Sequence, residues 1–237
     1  MKTSLKKPLL VLLSVTLIFL AASPVFNLQI AKIAAGANIN NEKLVIIDAG
    51  HGGFDGGAVA PDGTVEKEIN LQIATTLSEI LALNGYSVIM TRTTDTGTED
   101  DFTKPIQVRK VSDLKNRLAL MDRYPDAIFV SIHLNKFTAS AAKGAQVFYS
   151  KNNPNSYTLG DSIQGNIRTL LQPENDRVIK QGTRSTYLLY NAKIPAVIVE
   201  CGFLSNSEEL KKLKDDNYKN QIAFAVFCGI NDYFGER

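Results

Sequence analysis

The chain has 237 residues, of which 44% are hydrophobic, enough for one or two globular domains with a sizeable core. Its formal net charge is only +2, and its lysines and arginines form no block of the kind that contacts phosphates. This composition is ordinary for a globular protein, and we expect no nucleic acid among the partners.

The N-terminal segment predicts export. Three lysines among the first seven residues precede an uncharged, almost wholly apolar run over residues 8–22. This is the pattern of an export signal, and the run is shorter than the roughly 20 residues of a spanning helix. We predict a signal peptide or an uncleaved membrane anchor over residues 1–23 and a linker over 24–42. In either case residues 43–237 work outside the cytoplasmic membrane, secreted or membrane-anchored.

From residue 43 onward, strand and helix patterns alternate along the chain. In order, they predict a strand (43–48), a helix (68–85), a strand (86–92), a long polar loop (93–110), a helix (112–124), strands (127–132 and 144–150), a helix (156–171), strands (185–191 and 196–204) and two helices (205–214 and 218–233). Ser112 and either Ser205 or Asn206 are the expected N-caps. Strands separated by helices indicate the α/β class. We predict a single domain with a mostly parallel twisted sheet of about six strands and helices on both faces.

Ligand-type side chains follow three of these strands. His51 lies in the run "GHGG" after the first strand, His133 ends the third, and Glu200 ends "AVIV". The carboxyl ends of parallel strands share one edge of a sheet, where function gathers in open α/β folds. Two imidazoles and one carboxylate, with a water in the fourth place, form a known catalytic zinc set. Their convergence predicts a metal-dependent hydrolase.

Two glutamates compete for the roles of metal ligand and general base. Glu66 lies just before the first predicted helix, and Glu200 lies at the buried end of a later strand. A buried carboxylate needs a metal or a hydrogen-bonding partner, which favours neither residue over the other. The alternatives are hydrogen-bonded structural histidines, a satisfied core carboxylate and a glycine-rich anion loop. Spacing alone leaves these open.

The chain has two cysteines, Cys201 at a strand end and Cys228 in a helix. In an exported protein they could form a disulfide, but two buried free thiols fit the apolar setting of each residue as well. Both interpretations stay open at this point.

Six segments carry a resemblance to a known family. In order they are "VIIDAGHGGFDGGAV", "EKEINL", "VIMTRTTD", "LKNRLALMD", "SIHLN" and "VIVECGFLSN". They resemble the motifs of the zinc-dependent N-acetylmuramoyl-L-alanine amidases, and the resemblance covers about residues 44 to 234. Within that family the chain looks most like the germination-specific spore-cortex amidase of endospore formers.

The resemblance implies an activity and a set of roles. His51, Glu66 and His133 match the ligands of one Zn²⁺ ion, and Glu200 matches the catalytic carboxylate. The implied reaction cleaves the amide between N-acetylmuramic acid and the L-alanine of the stem peptide, so the implied partner is peptidoglycan. In the spore cortex this would be the first step towards muramic δ-lactam. The alternatives are an amidase of vegetative wall turnover or cell separation, and a catalytically inactive wall-binding protein.

Further motif positions carry weaker expectations. Arg92, Arg117 and Asn135 match positions that would support the site or contact the substrate. Asp48 is expected to orient His51 through the second ring nitrogen. Leu134 replaces the alanine of many relatives and is expected to point away from the ligands, because strand residues alternate sides.

The chain shows no inserted helix of the kind that blocks the site in some relatives. Regulation is therefore expected through metal occupancy or through an accessory or activating protein at the membrane or spore envelope. The expected location is the forespore intermembrane space or the cell wall.

Overall fold

The structure, a computed structural model, describes residues 43–139 and 141–235. The predicted signal peptide or anchor (1–23) and the linker (24–42) lie outside these residues. No helix in the described ranges combines the length and the apolar character that a membrane span requires.

The described residues form an α/β domain, as predicted. In chain order its elements are β1 (Leu44–Ala49), α1 (Glu66–Leu83), β2 (Ser87–Met90), α2 (Ile106–Arg123), β3 (Ile128–Asn135), β4 (Gln146–Tyr149), α3 (Asn155–Leu170), β5 (Lys180–Gln181), α4 (Tyr187–Asn191), β6 (Ala196–Phe203), α5 (Ser207–Leu213) and α6 (Asp216–Gly235). The strands form one six-stranded sheet in the order β2-β1-β3-β6-β4-β5.

The sheet is mostly parallel, and this arrangement decides where the functional side chains meet. All its neighbouring pairs are parallel except β4 with β6. The three central strands β1, β3 and β6 therefore run side by side in one direction. Their carboxyl ends lie at one edge of the sheet, where a site is expected in such folds.

Helices cover both faces of the sheet. On one face α1, α3 and α6 bury an apolar cluster that includes Val45 and Ile47 of β1. On the other face α2 and α4 pack against Leu44 and Ile46 of the same strand. Alternate residues of β1 thus face opposite layers, which explains why this strand, buried on both sides, is apolar at every position except Asp48.

One predicted strand is wrong. The segment 185–191 contains the short helix α4 (Tyr187–Asn191) instead of a strand, and the sixth strand is β5, which has only two residues. Leu188 and Leu189 are adjacent in sequence, yet both are buried against the α2 face of the sheet. A strand would send these neighbours to opposite faces, whereas a helical turn buries both. Tertiary packing here overrides the strand propensity of the segment.

The predicted loop over 93–110 is also too long, and Ser112 is not an N-cap. Helix α2 begins at Ile106 after Pro105, and the Ser112 hydroxyl donates to Asp100 at 2.7 Å. The first turns of α2 expose Ile106, Val108 and Val111. These turns therefore lack the apolar periodicity that predicts a helix with one buried face, and the sequence pattern placed them in the loop.

The other helices agree with prediction within a few residues. Asn206 is the N-cap of α5, and its side chain accepts from the backbone N–H groups of Glu208 and Glu209. Cys201 and Cys228 are both free thiols, so the disulfide alternative is wrong.

Candidate metal centre

The site begins with the loop after β1. His51 has a φ of 61°, in the left-handed region that few residues other than glycine adopt. Gly52 and Asp55 exchange two backbone hydrogen bonds of 2.9 and 3.0 Å, which close the loop just after the histidine. The glycine run therefore turns the chain back sharply and presents the His51 imidazole at the sheet edge.

The structure brings His51, Glu66 and His133 together. One ligand atom from each residue lies within 4.8 Å of those of the other two. His51 Nε2 is 3.3 Å from Glu66 Oε2, and His133 Nδ1 is 3.1 Å from Glu66 Oε1. The two rings lie edge to face with their centroids 4.9 Å apart. The predicted convergence of strand ends is thus present in the fold, with the third group supplied by the first residue of α1.

Glu66 is held firmly in place. Its Oε2 accepts from the Ala58 backbone N–H at 2.8 Å, and its Oε1 accepts from the Leu134 N–H at 3.0 Å. Asn70, one helical turn later, donates to the same Oε1 at 3.2 Å. Burial would raise the pKa of Glu66, but hydrogen bonds from both histidines hold it far below its ordinary value. Glu66 is therefore a fixed anionic centre between the two imidazoles.

Asp55, rather than Asp48, contacts the second ring nitrogen of His51. The His51 Nδ1 atom lies 2.9 Å from Asp55 Oδ2. The expectation for Asp48 is wrong, and sequence reasoning missed Asp55 although it stands only four residues after His51 in the same glycine run. Burial would lower the pKa of His51, but Asp55 and Glu66 raise it to about 9.

Asp48 instead forms a buried ion pair on the α2 face of the sheet. It lies on β1 in the same alternation as Leu44 and Ile46, and its partners are Arg117, Ser131 and Thr91. Burial alone would raise the pKa of Asp48, but Arg117 and these hydroxyls hold it below its ordinary value. Asp48 is therefore the ion-pair partner of Arg117, and it does not orient His51.

The Arg117 side chain contacts backbone carbonyls at the start of the loop that carries His51 (residues 50–57, here called the ligand loop). Its guanidinium binds Asp48 and Asp113, and Nη2 donates to the His51 carbonyl oxygen at 2.9 Å. Burial would lower the pKa of Arg117, yet these two carboxylates raise it above its ordinary range. The cation thus stays charged while it holds the strained His51 peptide against α2.

Arg92 makes a similar connection from the end of β2. Its guanidinium donates to the backbone carbonyls of Ala49 and Gly50, at 2.8 and 3.1 Å, and to that of Lys67 at 2.8 Å. Arg92 is buried and so ties the ligand loop to the first turn of α1, which carries Glu66. Both arginines hold backbone carbonyls at or next to the metal-ligand candidates, His51 for Arg117 and Gly50 and Lys67 for Arg92.

Glu200 lies beside this cluster on β6, directly opposite His133 in the β3–β6 register. Its Oε2 atom is buried and has no hydrogen-bond partner among the described residues. Burial, with a contribution from Glu66, raises the pKa of Glu200 to about 7 against the opposing effect of His133. A carboxylate with that pKa exchanges protons readily near neutral pH.

The remaining predicted positions lie close to the same edge. Asn135 ends β3 half-buried, and its carbonyl accepts from Leu204 N–H at 2.8 Å; its side chain makes no hydrogen bond in the described ranges. Leu134 is buried in the α1 face of the core, as the alternation predicted. Cys201 is fully buried beside Glu200, and burial raises the pKa of its thiol.

The donor set fits a small divalent metal ion. Two ligands that each lie about 2.0–2.1 Å from a tetrahedral zinc ion are about 3.3 Å apart. The histidine–glutamate distances are 3.3 Å to Oε2 of Glu66 and 3.1 Å to its Oε1, so each histidine lies at about this spacing from a different carboxylate oxygen. Two nitrogens and one carboxylate oxygen are also ligands that zinc favours at catalytic sites. The three side chains could therefore hold such an ion with little rearrangement.

Comparison with known proteins gives the family. A family model described as N-acetylmuramoyl-L-alanine amidase matches residues 45–232. This chain belongs to that family. The amidase family predicted from the six motifs is thus confirmed, and with it the enzyme class.

Three relatives match 82 to 84% of the chain. The germination-specific N-acetylmuramoyl-L-alanine amidase of Bacillus subtilis is 34% identical, over 82% of this chain and 81% of that protein. The CwlD amidase of Clostridioides difficile, solved in complex with the GerS lipoprotein, is 40% identical with a TM-score of 0.79. That match covers 82% of this chain and all of the solved one. An N-acetylmuramoyl-L-alanine amidase of Clostridium difficile 630 is 29% identical with a TM-score of 0.72.

Proposed function

We propose that this amidase hydrolyses the bond between the lactyl group of N-acetylmuramic acid and the L-alanine of the stem peptide in peptidoglycan. The observation that carries the proposal is the cluster of His51, Glu66 and His133 with the buried Glu200 beside it, in a chain of the amidase family. The specific roles of these four residues are part of the proposal.

His51, Glu66 and His133 would hold one Zn²⁺ ion. When bound, zinc supplies a Lewis acid that polarises the scissile carbonyl and makes the attacking water more acidic. The chain provides the geometry for this chemistry, because Glu66 is fixed by backbone N–H groups and His51 by its loop. A preorganised set of ligands needs little reordering when the ion enters.

Glu200 would act as the general base and then as the general acid. It takes a proton from the attacking water and returns it to the leaving amide nitrogen, which departs as the amino group of L-alanine. Its pKa of about 7 suits both transfers near neutral pH, and its unpartnered Oε2 leaves an oxygen free to accept the proton.

The site is open enough for a polymeric substrate. The His51 and His133 side chains remain 24% and 20% exposed, so the ligands lie at the surface rather than in a closed chamber. Gly52, Gly53 and Gly57 serve the packing of the loop itself, because each has a positive φ and an added Cβ atom would lie 2.3, 2.8 and 2.6 Å, respectively, from its nearest protein atom.

We further propose that the enzyme is exported and acts on spore cortex, where the product would lead to muramic δ-lactam. The support is the similarity to a germination-specific amidase, together with the apolar run after the N-terminal lysines. An accessory protein partner is proposed as well, because the similar CwlD amidase was solved with a lipoprotein. Vegetative wall turnover is the alternative setting.

The catalytic assignment is tested with Glu200→Gln. We expect this variant to fold, to bind zinc like the wild type, and to release stem peptide from purified peptidoglycan about 10² to 10⁴ times more slowly. Mass spectrometry of the digest measures free stem peptide, and elemental analysis measures zinc. Wild-type peptide release by Glu200→Gln would contradict the assignment.

The biological setting is tested in a deletion strain. Cortex from its spores should lack muramic δ-lactam, and a plasmid copy of the wild-type gene should restore it, whereas a copy encoding Glu200→Gln should not. A normal δ-lactam content in the deletion strain would point to vegetative wall turnover instead.

A further inference from the structure

We propose that Asp55 is the positioning residue of the metal centre: it holds the proton of His51 on Nδ1, so that Nε2 faces Glu66 as a metal ligand, and Lys110 of α2 fixes Asp55 in that orientation. This inference rests on the proposed function and adds a residue outside the ligand set to it.

The His51 ring spans two carboxylates. Its Nδ1 lies 2.9 Å from Asp55 Oδ2, while its Nε2 lies 3.3 Å from Glu66 Oε2. An ionised carboxylate only accepts hydrogen bonds, so the nitrogen facing Asp55 must carry a proton. By the same rule Nε2, which faces the anionic Glu66, also carries a proton when no metal is bound. A metal ion would replace only the Nε2 proton, while the proton on Nδ1 would stay on the hydrogen bond to Asp55.

The two oxygens of Asp55 have separate partners. Oδ2 faces His51, whereas Oδ1 lies 3.0 Å from Lys110 Nζ and accepts from the Gly57 backbone N–H at 3.3 Å. The backbone of Asp55 is fixed too, through its paired hydrogen bonds with Gly52. The carboxylate is therefore held at three points and cannot turn away from the imidazole without breaking contacts.

Lys110 makes the position specific for a carboxylate. In Asp55→Asn the amide oxygen would face Lys110 and Gly57, since both donate hydrogen bonds, and the amide NH₂ would face His51 Nδ1. An NH₂ donor there favours the tautomer with the proton on Nε2, which occupies the lone pair that a metal needs. The substitution preserves size, removes the negative charge beside His51 and Lys110, and reverses the direction of the hydrogen bond to His51.

The first test measures zinc affinity by competition with a chromophoric chelator, for the wild type and Asp55→Asn. Loss of such an outer partner typically weakens binding about 10- to 100-fold, and we expect a loss in that range. The melting temperature of the chelator-treated protein should change little. The matched control is Asp62→Asn, which removes a carboxylate that also pairs with a lysine, Lys214 at 2.8 Å, away from the site. Its zinc affinity should equal that of the wild type.

The second test does not depend on the folding of a variant. Because the chain contains only two histidines, ¹⁵N-histidine labelling gives a spectrum of two imidazoles. In the zinc-loaded wild type, we expect one imidazole with protonated Nδ1 and metal on Nε2, absent or shifted in Asp55→Asn.

The outcomes separate the two proposals. If the wild type binds zinc and cleaves peptidoglycan but Asp55→Asn binds zinc equally well, the positioning role is wrong and the proposed function stands. A wild-type spectrum with no imidazole bound through Nε2 would also overturn the positioning role. If the wild type binds no zinc, both proposals fail.

Discussion

Substituting Arg117 with methionine tests the buried ion pair under the ligand loop. The Arg117 and Asp48 side chains are 2% and 1% exposed, so the pair is shielded from water. Methionine occupies a similar length but carries no charge, and it leaves Asp48 without its cation. Removing one partner of a buried ion pair costs about 3–5 kcal/mol of unfolding free energy, because the other charge stays buried and uncompensated.

The structure places the expected cost near the lower end of that range. Asp48 keeps hydrogen bonds from Thr91 Oγ1 at 2.7 Å and Ser131 Oγ at 2.5 Å, which partly stabilise the remaining charge. We expect a loss of about 3 kcal/mol. For a domain of this size that lowers the melting temperature by roughly 6–12 °C.

The cost should also depend on pH, with a definite sign. In the wild type the native pKa of Asp48 lies below its unfolded value, so its contribution is fully present above about pH 4 and is lost below. In Arg117→Met only His133 and the hydroxyls of Ser131 and Thr91 still oppose burial, so we expect the native pKa of Asp48 to rise above the unfolded one. The variant then loses stability as pH increases above about 4. The gap between the two proteins should therefore widen from pH 4 to pH 7.

The assay is thermal unfolding followed by circular dichroism at pH 4.5 and pH 7, with a chelator present so that metal binding adds nothing. The control is Lys193→Met, which breaks the exposed pair of Lys193 with Asp122 and should cost at most about 1 kcal/mol. A gap under 2 °C at pH 7, or one that does not change with pH, would refute the reasoning.

Two further predictions follow from close packing around the site. A Cβ atom on Gly50 would lie 2.3 Å from His133 Nε2, so Gly50→Ala should displace the His133 ring and weaken zinc binding at least tenfold, as measured by chelator competition. The control is Gly165→Ala at a helical position, where an added Cβ would meet nothing within 4 Å and zinc binding should be normal. Equal zinc affinities of the two variants would contradict the close contact at Gly50. A thiol reagent should modify the partly exposed Cys228 in the folded protein, whereas the fully buried Cys201 should react only after denaturation. Peptide mass spectrometry identifies the modified cysteine. Modification of Cys201 in the folded protein would show that β6 opens at its carboxyl end.

The sequence by itself determined the class of fold and the two histidines of the candidate metal centre. An apolar segment followed by a polar side chain predicts, from local sequence alone, a buried strand with a functional residue at its end. Parallel strands in one sheet then bring these ends to the same edge. His51 and His133 were therefore predictable as neighbours. Choosing Glu66 as the third member required the family motifs, because spacing gave Glu200 an equal claim.

Only the tertiary structure decided what lies around those residues. Asp48 and Asp55 both stand close to His51 in sequence, but the alternation of β1 turns Asp48 towards Arg117, while the left-handed turn at His51 brings Asp55 back against the ring. Local sequence also could not predict the helix α4. Nothing within residues 185–191 indicates that the adjacent Leu188 and Leu189 are buried on the same side. Local patterns report which side chains prefer burial, whereas the partner of a buried charge depends on which distant segment packs against it.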